Sequence, residues 1–236
     1  YTVQPATAIC QHTDANHATL QCRVAQAGLF GEQLTLERTI RLTRGAPTIA
    51  LTDTVTNHGD TATPLMLLYH CNMGYPLVRA GTELVVNSAV YPRDARADAG
   101  VETWQHYEAA THGYAEQVFF HHVRYAGALF TNGEIGLLFN WDAASLPYLT
   151  QWKNTRKGIY VSGVEPGNCI PEGQNAARDA GRLTSIAPGQ SQTFKLQLSV
   201  LEGEAALSAA AEQIQSQDHD LIAGTHLTDY HGDENR

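Results

Sequence analysis

Basic residues are scarce in this sequence, and long apolar runs are missing. The 236 residues include 15 lysines and arginines against 24 aspartates and glutamates, a formal net charge of −9. A general nucleic-acid binder needs a basic face that displaces counterions from phosphate, and this balance argues against one. No apolar run approaches the roughly 18 residues that a membrane-spanning helix requires, so we expect no membrane partner.

Cysteine and metal-ligand motifs are equally sparse. The four cysteines stand far apart with no CxxC pair, which indicates reduced thiols in a cytoplasmic protein rather than a zinc site or a disulfide framework. His121 and His122 are neighbours, so on one strand they point to opposite faces and cannot bind one metal. The P-loop, GxGxxG and GxSxG motifs are also missing. We therefore expect neither a metal nor another cofactor.

Apolar alternation with a period of two is abundant instead. At 43% hydrophobic and 17% charged residues, the chain can bury a core. From Leu34 to Leu42 and from Thr193 to Val200, mainly apolar even positions alternate with polar odd positions. This alternation is typical of antiparallel strands with one buried and one wet face. Weaker strand signals cover residues 18–27, 48–57, 63–70, 82–90, 116–125, 127–132, 135–141, 147–153 and 158–164.

Helical patterning is confined to one late segment, residues 202–215, which has an alanine-rich centre. About ten strands with short turns and one C-terminal helix predict an all-β fold, a large antiparallel β-sandwich. Since no repeat or long linker divides the chain, we expect residues 1–217 to form a single domain and 218–236 an acidic tail. The sequence begins at Tyr1 in mid-pattern, so we expect an N-terminal part of this domain to be missing.

The first candidate site lies where an apolar strand ends. Residues 67–77 read LLYHCNMGYPL, and His70 and Asn72 share one strand face because they are two residues apart. Tyr75 follows them. A lone strand-end histidine is often only packed or surface-exposed, but two polar side chains beside aromatic residues favour a functional role.

The second candidate site combines two neighbouring strands. Residues 148–154 read YLTQWKN, in which Gln151 and Lys153 share one face and Trp152 lies on the other. Glu165 then ends the next apolar strand within the segment GVEPGN. A carboxylate in a partly desolvated cleft has a raised pKa, which suits a general base. The alternative is an ordinary glutamate exposed in a turn.

Together, the segments Leu67–Leu77 and Gly163–Asn168 resemble those of the aldose 1-epimerase (galactose mutarotase-like) superfamily, in its poorly characterised branch. The resemblance covers roughly residues 18–201. It implies a large β-sandwich that binds a sugar across one sheet face, with His70 as the acid and Glu165 as the base. In such a site, we expect Asn72, Gln151 and Lys153 to donate hydrogen bonds to sugar hydroxyls. We expect Trp152 or Tyr75 to cover an apolar face of the sugar.

Two parts of the family's site have no clear match. An early arginine or histidine that holds the sugar in family members has no counterpart after Tyr1, and Glu116, Asp94 or His122 are alternatives for a sugar-binding aspartate. We expect the imidazole and the carboxylate of the acid/base pair to lie roughly 5–9 Å apart, as in paired groups that flank a sugar.

Three functions therefore stay open. The favoured one is a cofactor-independent isomerase that interconverts sugar anomers. The second is a hexose-phosphate epimerase, which needs a cationic pocket that Arg93, Lys153, Arg156 and Lys157 are available to form. The third is a carbohydrate-binding β-sandwich without catalysis, since one fold hosts several functions.

Overall fold

A computed structural model of the protein describes residues 4–217. The strands are β1 (Ala6–Thr13), β2 (His17–Ala27), β3 (Gln33–Thr43), β4 (Thr48–Asn57), β5 (Thr63–Pro64), β6 (Cys71–Met73), β7 (Glu83–Pro92), β8 (Gln117–Thr131), β9 (Ile135–Trp141), β10 (Tyr148–Asn154), β11 (Val161–Gly167), β12 (Ser185–Ile186) and β13 (Ser191–Glu202). The helices are α1 (Ala95–Asp98), α2 (Gln174–Asp179) and α3 (Glu204–Gln215), with a 3₁₀ turn at Val101–Thr103. The tail expected at 218–236 lies outside the described residues.

Eleven of these strands form one antiparallel sheet. Its order is β1-β2-β3-β4-β13-β9-β8-β10-β11-β6, with β7 paired to β8, and β5 and β12 form a separate two-stranded sheet. The site-bearing half is β7-β8-β10-β11-β6, in which β10 and β11 are central strands. Side chains on those two strands are therefore held by paired backbone on both sides.

The large sheet curves into a sandwich at β8. Residues 127–131 of this strand pair with β9, whereas residues 117–122 pair with β10, so one strand belongs to both halves. Both halves supply the same core, in which each large apolar side chain contributes about 1.5–3 kcal/mol on burial. The core includes Phe194, Phe139, Leu149 and Val164, all with 0% exposure. The all-β antiparallel sandwich predicted from the alternation is confirmed.

The predicted C-terminal helix is confirmed as α3, which packs Leu207, Ala210 and Ile214 against the sheet. The structure adds the short helices α1 and α2. At four and six residues, these helices are too short for a 3.6-residue period to register in the sequence.

The strand predicted for residues 63–70 is wrong beyond Pro64. Residues 65–69 make only an isolated bridge, from Leu68 to Gly167, and the side chain of Asn168 takes two of the backbone hydrogen bonds that a continuous strand would exchange. The Asn168 Nδ2 donates to the carbonyl of Leu65 at 2.8 Å, and the Leu67 N–H donates to Asn168 Oδ1 at 2.7 Å. The last residue of GVEPGN thereby fixes the chain that leads into the histidine segment.

Across residues 4–217, we found no helix with the length and hydropathy to cross a membrane.

Candidate active site

The two candidate segments lie next to each other in the sheet. Strand β11 pairs with β6, with Gly163 opposite Asn72. Just before β6 in the chain, the Tyr69 N–H donates to the carbonyl of Pro166 at 2.9 Å. This backbone pairing brings His70, which directly precedes β6, to the end of β11 that carries Glu165. Since residues directly opposite on neighbouring strands project to one face, the pairing also puts Asn72 and Glu165 on the same face.

Strand β10 extends this face, which we call the Glu165 face. Thr150 lies opposite Glu165, and Trp152 lies opposite Gly163. On the far side of β10, Thr150 is also opposite Phe120 of β8. The Glu165 face is thus a row of side chains that crosses β8, β10, β11 and β6.

His70 and Glu165 form a close pair on this face. The His70 Nε2 lies 3.1 Å from Glu165 Oε1, with side-chain exposures of 45% and 3%. The ring and the carboxylate are in contact, but their geometry is not that of a hydrogen bond. Glu165 Oε1 is buried and accepts no hydrogen bond within the described residues. This distance is shorter than the 5–9 Å expected from sequence.

Burial dominates the electrostatics of Glu165. Desolvation disfavours the charged carboxylate and raises the pKa of Glu165 from its ordinary 4.5 to about 7. Near neutral pH this carboxyl is therefore divided between its protonated and ionised forms. Beside it, the partly exposed imidazole of His70 reaches solvent and any ligand on this face. The pair combines a proton acceptor with elevated pKa and an imidazole, a group able to donate a proton.

Gly163 provides the space that Glu165 occupies. A Cβ built on Gly163 would lie 2.3 Å from Glu165 Oε1. Real Cβ atoms do not approach an oxygen so closely, so the carboxylate folds back over a position that only glycine leaves open. The sequence spacing is consistent with this contact, since Gly163 and Glu165 are two residues apart and share one strand face.

We expect Gly163→Ala to push the carboxylate toward solvent and to lower the pKa of Glu165 from about 7 toward its ordinary value of 4.5. A titration of the Glu165 side-chain carbon by ¹³C NMR measures this. Gly74→Ala is the matched control, because a Cβ there meets no atom within 4 Å, and it should leave the pKa at about 7. An unchanged pKa in folded Gly163→Ala would contradict the assigned packing.

Trp152 connects His70 to a charged cluster on the Glu165 face. Its ring centroid lies 5.9 Å from that of His70, with planes inclined at 65°. Its Nε1–H donates to Glu116 Oε2 at 2.7 Å. The other oxygen of Glu116 accepts from Arg93 at 3.3 Å, and Arg93 also donates to Asp94 at 2.9 Å. Of the three alternatives named from sequence, Glu116 and Asp94 belong to this cluster, and His122 is buried elsewhere on the same face, opposite Tyr148.

The structure does not bring Gln151 and Lys153 to the Glu165 face. They lie opposite Val164 and Ser162, whose side chains project to the other face, and their exposures are 0% and 3%. Both are engaged by residues 93–116, the connection between β7 and β8. Their contacts therefore fix that connection and leave no donor directed at a ligand beside Glu165.

The contacts of these two side chains are short. Gln151 Nε2 donates to the carbonyl of Trp104 and to the Tyr107 hydroxyl, each at 2.9 Å. Lys153 Nζ donates to the carbonyl of His106 at 2.6 Å and pairs with Glu108 at 3.0 Å.

Asn72 and Tyr75 occupy different surroundings. Asn72 is exposed on the edge strand β6, on the Glu165 face. Tyr75 is 83% exposed and lines an apolar groove with Val78 and Tyr160. Among the residues proposed from sequence to bind a ligand, Asn72 and Trp152 therefore accompany His70 and Glu165, whereas Tyr75 borders a separate groove. Residues 4–217 contain no group of three side chains suited to hold a metal ion.

Comparison with known proteins agrees with this architecture. A family model described as "Domain of unknown function (DUF4432)" matches residues 2–200. A search of curated proteins found no match to the chain.

Solved structures give closer information on the fold. A candidate aldose 1-epimerase from Klebsiella pneumoniae is 27% identical, with a TM-score of 0.86 over 92% of this chain and 60% of that one. The chain thus spans 60% of the length of that relative. A galactose 1-epimerase from Lactobacillus acidophilus (14% identity, TM-score 0.58, 83% of this chain and 66% of that one) shares the fold. So does a candidate aldose 1-epimerase from Escherichia coli (14% identity, TM-score 0.56, 82% and 68%).

Proposed function

Because the chain belongs to the DUF4432 family and folds like aldose 1-epimerases, we propose that it is a cofactor-independent sugar isomerase that interconverts the anomers of an aldose. The observation that carries this proposal is the pair formed by buried Glu165 and half-exposed His70, 3.1 Å apart on one sheet face. Burial of a carboxylate without a hydrogen-bonded cation costs stability, so a purely structural role does not explain it.

The pair suits the two proton transfers of ring opening. Glu165 takes the proton of the anomeric hydroxyl while His70 protonates the ring oxygen, and the bond between the anomeric carbon and the ring oxygen breaks. The open-chain aldehyde rotates about one bond, and closure on its other face returns both protons. The hydroxyl and the ring oxygen are bonded to the same carbon, so two groups in contact can serve both atoms. The expected 5–9 Å separation assumed opposite edges of the ring, which this reaction does not require.

The pKa of Glu165 fits the role of base. A value of about 7 is close to neutral pH, where a base is both partly ionised and strong enough to accept a proton, and general acid–base catalysis contributes about 10²–10⁴-fold. The indole of Trp152 offers an apolar surface beside the pair, and Asn72 offers an amide for a hydroxyl of the sugar.

Charge on the Glu165 face argues against the hexose-phosphate alternative. Arg93 is engaged by the carboxylates of Asp94 and Glu116, and Lys153 points to the opposite face. Arg156 and Lys157 are exposed in the turn after β10. The four cations that were available for a phosphate pocket are therefore not gathered, and the face favours an uncharged sugar.

Polarimetry on freshly dissolved α-glucose and α-galactose tests the proposal, with glucose 6-phosphate as the charged comparison. We expect the protein to accelerate the approach to anomeric equilibrium of at least one neutral aldose above the rate in buffer alone. Acceleration with the phosphate ester alone would favour the hexose-phosphate epimerase. Binding of several sugars without acceleration of any would favour a carbohydrate-binding module and overturn the isomerase.

A further inference from the structure

The imidazole of His70 lies in an open position that needs external support. Its side chain is 45% exposed, and the backbone bond just before it, from Tyr69 to Pro166, fixes the main chain but not the torsions of the ring. Two contacts orient it, the carboxylate of Glu165 and the ring of Trp152. A histidine that must present Nε2 to a reacting atom loses rate when its ring rotates away, because misplacement by about 1 Å can cost 10²-fold.

Trp152 is held in place at both ends of its indole. Its apolar part packs against Val118, Phe120, Tyr148 and Ile170. Its Nε1–H donates to Glu116 Oε2 at 2.7 Å. A hydrogen bond to an ionised acceptor is short and about twice as strong as a neutral one, so this contact selects one orientation of the indole.

Glu116 is itself anchored to the backbone of α1. Its Oε1 accepts from Arg93, whose Nε donates to Asp94. Asp94 caps α1 by accepting hydrogen bonds from the backbone N–H groups of Arg96 and Ala97. An unbroken series of polar contacts therefore runs from this helix to Trp152.

We infer that Glu116 is a positioning residue that fixes the imidazole of His70 through the indole of Trp152. This inference rests on the proposed function for its kinetic consequence, because orientation of His70 matters when His70 is the acid. Glu116 does not itself transfer a proton. Its effect reaches the reaction through the ring contact between Trp152 and His70, so removal of either partner of the Glu116–Trp152 hydrogen bond should have the same result.

Two substitutions of Glu116 separate positioning from charge. Glu116→Ala removes the acceptor, and we expect kcat to fall about tenfold with little change in KM. Glu116→Gln keeps an oxygen that accepts from Trp152, and we expect it to restore most of the rate. Trp152→Phe keeps a ring without the N–H and should match Glu116→Ala, and the double variant should be no slower than either. Glu102→Ala, an exposed residue of the same connection, is the control.

A spectroscopic measurement makes the test independent of activity. The ring current of Trp152 shifts the ¹H resonances of the His70 imidazole, and we expect Glu116→Ala to move these shifts toward those of a free histidine. Glu116→Gln and Glu102→Ala should leave them in place. Unchanged His70 shifts in Glu116→Ala, or additive losses in the double variant, would overturn the inference. If the wild type accelerates no sugar, the proposed function fails, and the NMR comparison still decides whether Glu116 positions His70.

Discussion

Replacement of Glu165 by glutamine is expected to lower the rate of anomerisation at pH 8 by about 10²-fold or more, while the affinity for the sugar changes little. Glutamine has nearly the same shape and hydrogen-bonding capacity as the carboxyl, so it fits the space above Gly163. It cannot accept the proton of the anomeric hydroxyl. The loss should therefore appear in kcat rather than in KM, as for a group whose contribution arises in the transition state.

Polarimetric progress curves at several sugar concentrations give both constants. Glu212→Gln is the matched control, because Glu212 is exposed on α3 and the substitution changes charge by the same amount. It should retain the wild-type rate. If Glu165→Gln accelerates mutarotation as well as the wild type does, Glu165 is not the base.

The same substitution is expected to stabilise the fold at alkaline pH. The pKa of Glu165 is raised from 4.5 to about 7 in the folded state, so between these values the folded chain binds more protons than the unfolded chain. The free energy of unfolding contributed by Glu165 therefore falls as pH rises from about 4.5 to about 7, and stays low above that range. Glutamine does not titrate, so this loss disappears in Glu165→Gln.

The expected size of the effect is up to about 3 kcal/mol at pH 8, because each unit of pKa shift corresponds to about 1.4 kcal/mol. Urea unfolding of the wild type and Glu165→Gln at pH 4.5, 6 and 8 measures the difference, which should grow from near zero with rising pH. Glu212→Gln should follow the pH dependence of the wild type. A difference between Glu165→Gln and wild type that does not depend on pH would show that burial of Glu165 leaves its pKa unshifted.

Strands that alternate between a buried and a wet face could be predicted from sequence, and β3 and β13 are examples. Strand β1 could not, because Ala6–Thr13 is exposed along its length where described and has no apolar period to detect. Residues 65–69 failed for a different reason. Their apolar run is typical of a buried strand, but the side chain of Asn168, about a hundred positions later, takes two of the backbone hydrogen bonds that a neighbouring strand would take.

The site shows a similar division. Sequence spacing correctly separates Gln151 and Lys153 from Trp152 on β10. It does not reveal which of those faces Glu165 shares, because that depends on the register between β10 and β11. The observed register puts Thr150 opposite Glu165, so Trp152 lies on the same face as Glu165 and the two donors do not. A shift of one residue would reverse the assignment.

Residues 93–116 reach both sides of β10, and this has a consequence for how the proposed substrate would enter and leave. The last residue of this connection, Glu116, accepts a hydrogen bond from Trp152, whereas Glu108 in its middle pairs with buried Lys153. If this connection moved away from the sheet, the buried ammonium of Lys153 would lose its ion pair with Glu108. Loss of one partner of a buried ion pair costs about 3–5 kcal/mol of free energy. We therefore expect residues 93–116 to stay in place while a ligand enters and leaves, so that turnover does not wait for this connection to move.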